Sequence, residues 1–232
     1  MELTKYDTLS PAEAIAYQQE LKKKINLHPL TGDIKTIAGA DISFNKYDTK
    51  VYAGMVVFSY PELKFIRQVG TTAITHFPYV SGLLAFREIP ALMKAWDLLE
   101  EKPDVLLLDG QGIAHPRRMG IAAHFGILVN TPTIGVGKSR LFGRFEEPDQ
   151  EAGSQTPLMD REEQLGVVLR SKKNCKPLFI SPGHRLSIEQ STAIVRNCIT
   201  KYRIPEPTRR AHIWVNELRI QDLNPDAQTS LF

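Results

Sequence analysis

Three carboxylates, Asp109, Glu88 and Asp41, are the candidates for chemistry. The run "DVLLLDG" passes through the apolar residues Val105 to Leu108 and ends on Asp109. An acid at the C-terminal tip of a buried-type strand lies on the edge where α/β sheets bind ligands. It reads equally as a loop aspartate capping the next segment. Glu88 shares a helical face with Leu84, Ala91, Leu92, Ala95 and Leu99, an apolar stripe, so its carboxylate is turned toward the protein. A buried, unpartnered carboxylate is costly and calls for a cation or a metal. The neighbouring Arg87 and Lys94 fall on other faces, and Pro90 must either sit in the first turn or mark a kink. Asp41 interrupts the strand pattern "AGADISF" between Gly39 and Ser43, and alone it is an ordinary solvent-facing strand residue. Two strand aspartates and a helix glutamate, brought together, make an all-oxygen site suited to Mg²⁺, with Mn²⁺ as the substitute. Such an ion activates water and stabilises charge on a phosphate.

The elements that would bring these acids together can be traced along the chain. "SPAEAIAYQQELKKKIN" predicts a helix capped by Ser10, with Pro11 at its first position and Glu13 completing a capping box. "IAGADISF", "VYAGMVVFSY" and "KFIRQVGTTAIT" predict a three-stranded antiparallel meander. In its first strand Ala38, Ala40, Ile42 and Phe44 share one face, and Gly39, Asp41 and Ser43 the other. An aromatic loop, "HFPYVSG", leads into the helical stretch that carries Glu88. Then come the strand before Asp109, a helix at "GIAAHFGILVN", strands at "TPTIGVGK" and "PLFISPGH", a helix at "SIEQSTAIVRNCI" capped by Ser187, and a last helix at "TRRAHIWVNELR". Hairpin strands followed by alternating strands and helices predict an α/β protein with a mixed sheet and helices on its faces. Residues 146–160 read as a surface excursion. One domain is expected over 1–223, with a mobile tail at 224–232.

Composition agrees with a single globular domain. The chain has 232 residues, 42% hydrophobic and 24% charged. Its net charge of +3 and pI near 8.8 permit a nucleic-acid partner without demanding one. Cys175 and Cys198 sit in no metal-ligand spacing and read as reduced thiols of a cytoplasmic, monomeric protein. No apolar run is long enough to suggest a membrane partner.

The segments "AGADISF", "FPYVSGLLAFREIPAL", "PDVLLLDGQGIAHPRRMGIAAHFG", "PTIGVGKSRLFG", "SPGHRLS" and "AHIWVN" together resemble the endonuclease V family, the deoxyinosine-directed DNA repair nucleases. The resemblance implies a ribonuclease-H-like fold. It places Asp41, Glu88 and Asp109 on the family's metal-binding carboxylates, Lys138 on its active-site lysine and His212 on its histidine near the metal. By residue type alone Lys138 reads as a solvated loop lysine and His212 as a core histidine. The loop with Pro78, Tyr79 and Val80 is either an exposed apolar wedge or a buried turn, burial being the commoner outcome. The resemblance makes it the wedge that enters the duplex and lets a damaged base swing out. It also implies a base pocket formed by Gly110, Gly120, Ile121 and Leu141 with His115 nearby, and phosphate contacts from Arg117 and Arg118.

The implied reaction is hydrolysis of the second phosphodiester 3′ to deoxyinosine, leaving 3′-hydroxyl and 5′-phosphate ends. Two alternatives stay open, an endoribonuclease directed at inosine in RNA and a nucleic-acid-binding module without catalysis. The final residues "QTSLF" resemble the C-terminal peptide that docks repair proteins on the bacterial sliding clamp, with Gln228, Leu231 and Phe232 as its anchors.

Overall fold

The computed structural model describes residues 3–45 and 48–223, so the expected clamp peptide and tail lie outside the described residues. The predicted meander forms as β1 (Thr36–Phe44), β2 (Lys50–Ser59) and β3 (Phe65–Ile74), paired antiparallel. β4 (Val105–Leu108) pairs parallel with β1, and β5 (Thr133–Gly137) pairs parallel with β4. The sheet continues with β6 (Gln155–Asp160), β7 (Glu163–Leu169) and β8 (Leu178–His184), in the order β3-β2-β1-β4-β5-β8-β7-β6. A meander joined to parallel strands is the ribonuclease-H-like arrangement expected from the sequence.

The helices cover both faces. α1 (Pro11–Lys22), α2 (Leu84–Asp97) and α3 (Ile121–Val129) lie on one face with a short 3-10 helix, Leu3–Thr8. α4 (Ile188–Asn197) and α5 (Glu206–Leu223) lie on the other. The period-2 reading of β1 holds. Ala38 and Ala40 pack into the core beneath α2 and α3, whereas Ile37 packs with Ala211 of α5. Ser10 accepts from the Glu13 amide and the Glu13 carboxylate accepts from the Ser10 amide, closing the capping box. Pro90 lies inside α2, where its ring removes the amide that would have bonded the Phe86 carbonyl. No helix among the described residues is long and apolar enough to cross a membrane.

One expectation is corrected. Residues 155–160 are a sheet strand, β6, and not part of a surface excursion, and β6 and β7 form an antiparallel hairpin. β6 is the outermost strand and carries Pro157, a residue tolerated at a sheet edge because the missing amide is not needed there. Arg161 occupies the left-handed region at φ 56° in the turn between the two strands.

α5 lies unusually close to the meander, because the strands offer it glycines. A Cβ at Gly39 would collide with the Pro207 carbonyl. At Gly54 it would stand 2.7 Å from side-chain atoms of Trp214 and Val215, and at Gly70 it would collide with Leu218. The register places Asp41, Gly54 and Gly70 on one rung across β1, β2 and β3. Gly39→Ala should therefore push α5 off β1. Overpacking of this kind costs about 1–3 kcal/mol, which lowers the melting temperature by roughly 2–12 °C for a domain of this size. A thermal melt that matches the wild type would show that α5 tolerates the displacement.

Candidate active site

The parallel strands carry the acids to one edge. Ala40 and Leu108 are register partners, so Asp41 and Asp109 follow side by side on adjacent strands. Leu108 pairs with Gly135, and β5 ends at Gly137, so Lys138 leaves the sheet at the same edge. The Lys138 ammonium pairs with the Asp109 carboxylate. Two further contacts hold the lysine's loop, since Gln111 donates to the Ser139 carbonyl at 3.0 Å and Arg203 to the Lys138 carbonyl at 3.0 Å.

α5 supplies the histidine. His212 Nδ1 lies 2.7 Å from Asp41 Oδ2. The match is geometric: four helical residues rise about 6 Å, and two strand residues rise about 6.6 Å. His212 and Asn216 thus keep step with Asp41 and Ser43. Asn216 accepts from Ser43 Oγ at 3.0 Å and donates to the His212 carbonyl at 2.8 Å, while Arg219 donates to both Ser43 and Asn45. Asn216 and Arg219 were not singled out in the sequence. The available signal was Asn216 four residues after His212, matched to Ser43 two residues after Asp41.

Asp41, Asp109 and His212 offer ligand atoms that all lie within 4.8 Å of one another. Glu88 lines the same cleft from α2 but stands outside that tight group. Its carboxyl is pushed up to about 8, by burial first and then by the negative charges of Asp41 and Asp109. Asp41 is also raised, by burial and then by Asp109, against the lowering effect of His212. Buried acids raised by neighbouring carboxylates form a site short of positive charge. The donor set, carboxylates with one imidazole, fits a hard divalent cation.

The acids open into a cleft of about 500 Å³. Tyr79, Gly110, Gly120, Ile121 and Leu141 line it together with Asp41, Glu88, Asp109 and Lys138. The wedge motif divides between surface and core. Phe77 is buried and Val80 half-buried, whereas Pro78 is exposed and Tyr79 is 68% exposed. The commoner outcome for such a loop, burial, therefore fails for Tyr79. Leu141 is also exposed, across the cleft entrance.

A model of the family Endonuclease V matches residues 19–213. The chain belongs to the endonuclease V family. Endonuclease V from Streptomyces avermitilis is 36% identical, with a TM-score of 0.87 over 92% of this chain and 95% of that one. The Bacillus subtilis enzyme is 31% identical, with a TM-score of 0.90 over 97% and 98%. Endonuclease V from Ciona intestinalis, solved in complex with a 24mer DNA containing an inosine followed by a ribo-adenosine, is 34% identical, with a TM-score of 0.79 over 90% and 98%. Membership makes the chain a nuclease of ribonuclease-H-like fold.

Three residues expected at the nucleic acid have other partners. Arg118 is buried and pairs with Asp160 and Glu163, each at 2.6 Å, so its guanidinium pins the β6–β7 hairpin in place of a phosphate. Arg117 donates to Gln18 Oε1 at 2.5 Å and to the Gly82 carbonyl at 2.8 Å. His115 lines the cleft, but its Nε2 bonds the same carbonyl at 3.0 Å and its Nδ1 accepts from the Arg117 amide at 3.1 Å. This pattern requires a neutral ring protonated on Nε2. Burial, then the nearby Arg117 charge, lowers its pKa to about 4 and keeps it neutral. With Gln18 Nε2 at 3.0 Å, three side chains grip Gly82, a residue at φ +78° where a side chain would be strained.

The Glu88 shift predicts how stability varies with pH. Its folded pKa of about 8 lies above its ordinary value of 4.5, so the folded state holds the extra proton between those limits. Stability contributed by this group is greatest below pH 4.5, falls as pH rises and levels off above 8. Without divalent ions, Glu88→Gln should melt several degrees above the wild type at pH 8, at roughly 2–4 °C per kcal/mol, and the two should converge near pH 5. Superimposable melts at pH 8 would contradict the repulsive cluster.

Proposed function

We propose that the chain is a Mg²⁺-dependent DNA repair endonuclease that recognises deoxyinosine by wedge insertion and base flipping. It hydrolyses the second phosphodiester 3′ to the lesion and leaves 3′-hydroxyl and 5′-phosphate ends. The observation that carries this reading is the shared cleft. The acids and Lys138 stand in the same 500 Å³ space as exposed Tyr79 and the backbone of Gly110, Gly120 and Ile121. The inosine-containing DNA bound by the Ciona relative supports the substrate.

Each group has a task that its position supports. Asp41 and Asp109, with Glu88 nearby, would hold the ion. A bound divalent cation polarises a phosphodiester and eases ionisation of the attacking water. His212 fixes the Asp41 carboxylate through its Nδ1 contact. Lys138 supplies a point charge beside Asp109, suited to hold the scissile phosphate or orient water. Tyr79 presents an exposed ring, with Pro78 and Val80 beside it, to fill the space a displaced base leaves. Gly110 and Gly120 let backbone groups approach the edge of a flipped base, between Ile121 and Leu141.

A second reading has its own support, because the nucleic acid of the Ciona complex carries a ribose immediately after the inosine. A 2′-hydroxyl is the group that distinguishes RNA from DNA. Comparing duplexes with deoxyribose or ribose at that one nucleotide decides between them, and the DNA reading predicts efficient cutting of the all-deoxy strand. Asp109→Asn should lower Mg²⁺-dependent cutting by roughly a hundredfold or more while inosine-duplex binding in a gel shift is kept. Equal cutting by variant and wild type would leave only a binding module. Tyr79→Ala should narrow the preference for inosine- over adenine-containing duplex. An unchanged preference would remove the wedge role.

A further inference from the structure

We propose that Asp7, on the N-terminal 3-10 helix, is a positioning residue that braces the Tyr79 loop, so that the loop acts as a rigid wedge. The inference rests on the wedge reading above. The loop leaves the sheet after β3 and returns at α2. At its start, Asp7 Oδ1 accepts three hydrogen bonds, from Thr75 Oγ1 at 2.9 Å, the His76 amide at 2.9 Å and the Phe77 amide at 3.0 Å. The opposite side of the same stem is held by Arg87, which donates to the Phe77 carbonyl at 2.9 Å and the Asp48 carbonyl at 2.6 Å. Thr75 and Phe77 are buried. At its far end the loop is held by the three donors on the Gly82 carbonyl. Residues 78–81 are thus strung between two fixed points, and Tyr79 projects from the middle.

The 3-10 helix is itself anchored. The Tyr6 hydroxyl bonds His124 Nε2 on α3 at 2.8 Å, and the Tyr6 ring packs on Phe86, which packs on Phe77. Asp7 therefore ties the loop stem to the helix whose first residue, Ile121, lines the cleft. The physical advantage is preorganisation. A wedge must push apart stacked bases, and a loop that is ordered only on insertion also loses conformational entropy at that moment. A carboxylate suits the stem because charge-assisted bonds to amides are the stronger kind.

The test separates bracing from general damage to the protein. A single-stranded target needs little unstacking, so the wedge matters most for duplex. Full-length Asp7→Ala should cut single-stranded deoxyinosine within about twofold of wild type and duplex deoxyinosine about tenfold less efficiently by kcat/KM. Asp7→Asn keeps an acceptor oxygen and should recover most of the duplex activity. Amide hydrogen exchange in Asp7→Ala should rise within residues 75–82 and stay unchanged around Asp109. Parallel losses on both substrates, an unaffected duplex rate, or exchange in 75–82 equal to wild type would each overturn the proposal. A wild type with no preference for inosine would sink the functional reading instead, and the exchange measurement would still decide whether Asp7 holds the loop.

Discussion

The seating of α5 on a glycine-paved rung is the constraint from which the rest of the site follows. Gly54 and Gly70 continue the rung of Asp41 across the meander and leave room for Trp214, Val215 and Leu218. Gly39 does the same for the start of the helix at Pro207. Only with the helix this low can His212 reach Asp41 at 2.7 Å. The near-equal rise of four helical and two strand residues then extends the match to Asn216 and Ser43. The histidine beside Asp41 is placed by backbone packing, with no loop in between, which is the kind of support a precise site needs.

The sheet beside that helix supplies the other charges. β1, β4 and β5 are parallel neighbours, so Asp109 just after β4 stands next to Asp41 within β1, and Lys138 just after β5 pairs with Asp109. α2 adds Glu88 from the other face. The cluster costs stability, since burial and the neighbouring aspartates raise the pKa of Glu88 and burial and Asp109 raise that of Asp41, and a site built this way is held by the surrounding packing. Beyond the acids, the walls belong to the β4–α3 turn and the Tyr79 loop. One cavity therefore joins the charged groups to the exposed Tyr79 ring and the backbone of Gly110 and Gly120.

Two of the acids stood out because their types conflicted with their surroundings: Asp109 ended an apolar run and Glu88 broke an apolar stripe. Asp41 alone looked like an ordinary solvent-facing strand residue and gained meaning only beside them. The meander and the helices were legible from periodicity and capping residues. The β6–β7 hairpin was not, because "QTPLMD" neither alternates nor avoids proline, and its edge position is a tertiary fact. The same blind spot explains Arg118. The resemblance implied a phosphate contact there, yet its acidic partners lie on the hairpin that the pattern concealed. The hydrogen bonds of Arg117 and His115 to the Gly82 carbonyl join segments more than thirty residues apart, and no local pattern reports such a bond.

In the proposed function one cleft both extrudes inosine and cuts the strand that carries it. The most direct measurement is end-group mapping of a labelled duplex with a single deoxyinosine, beside the same duplex with deoxyadenosine, in Mg²⁺ and in chelator. The expected result is one Mg²⁺-dependent nick in the deoxyinosine strand, at the second phosphodiester on its 3′ side, with 3′-hydroxyl and 5′-phosphate ends, and little cutting of the control. Equal cutting of both duplexes, or a nick that persists in chelator, would contradict it.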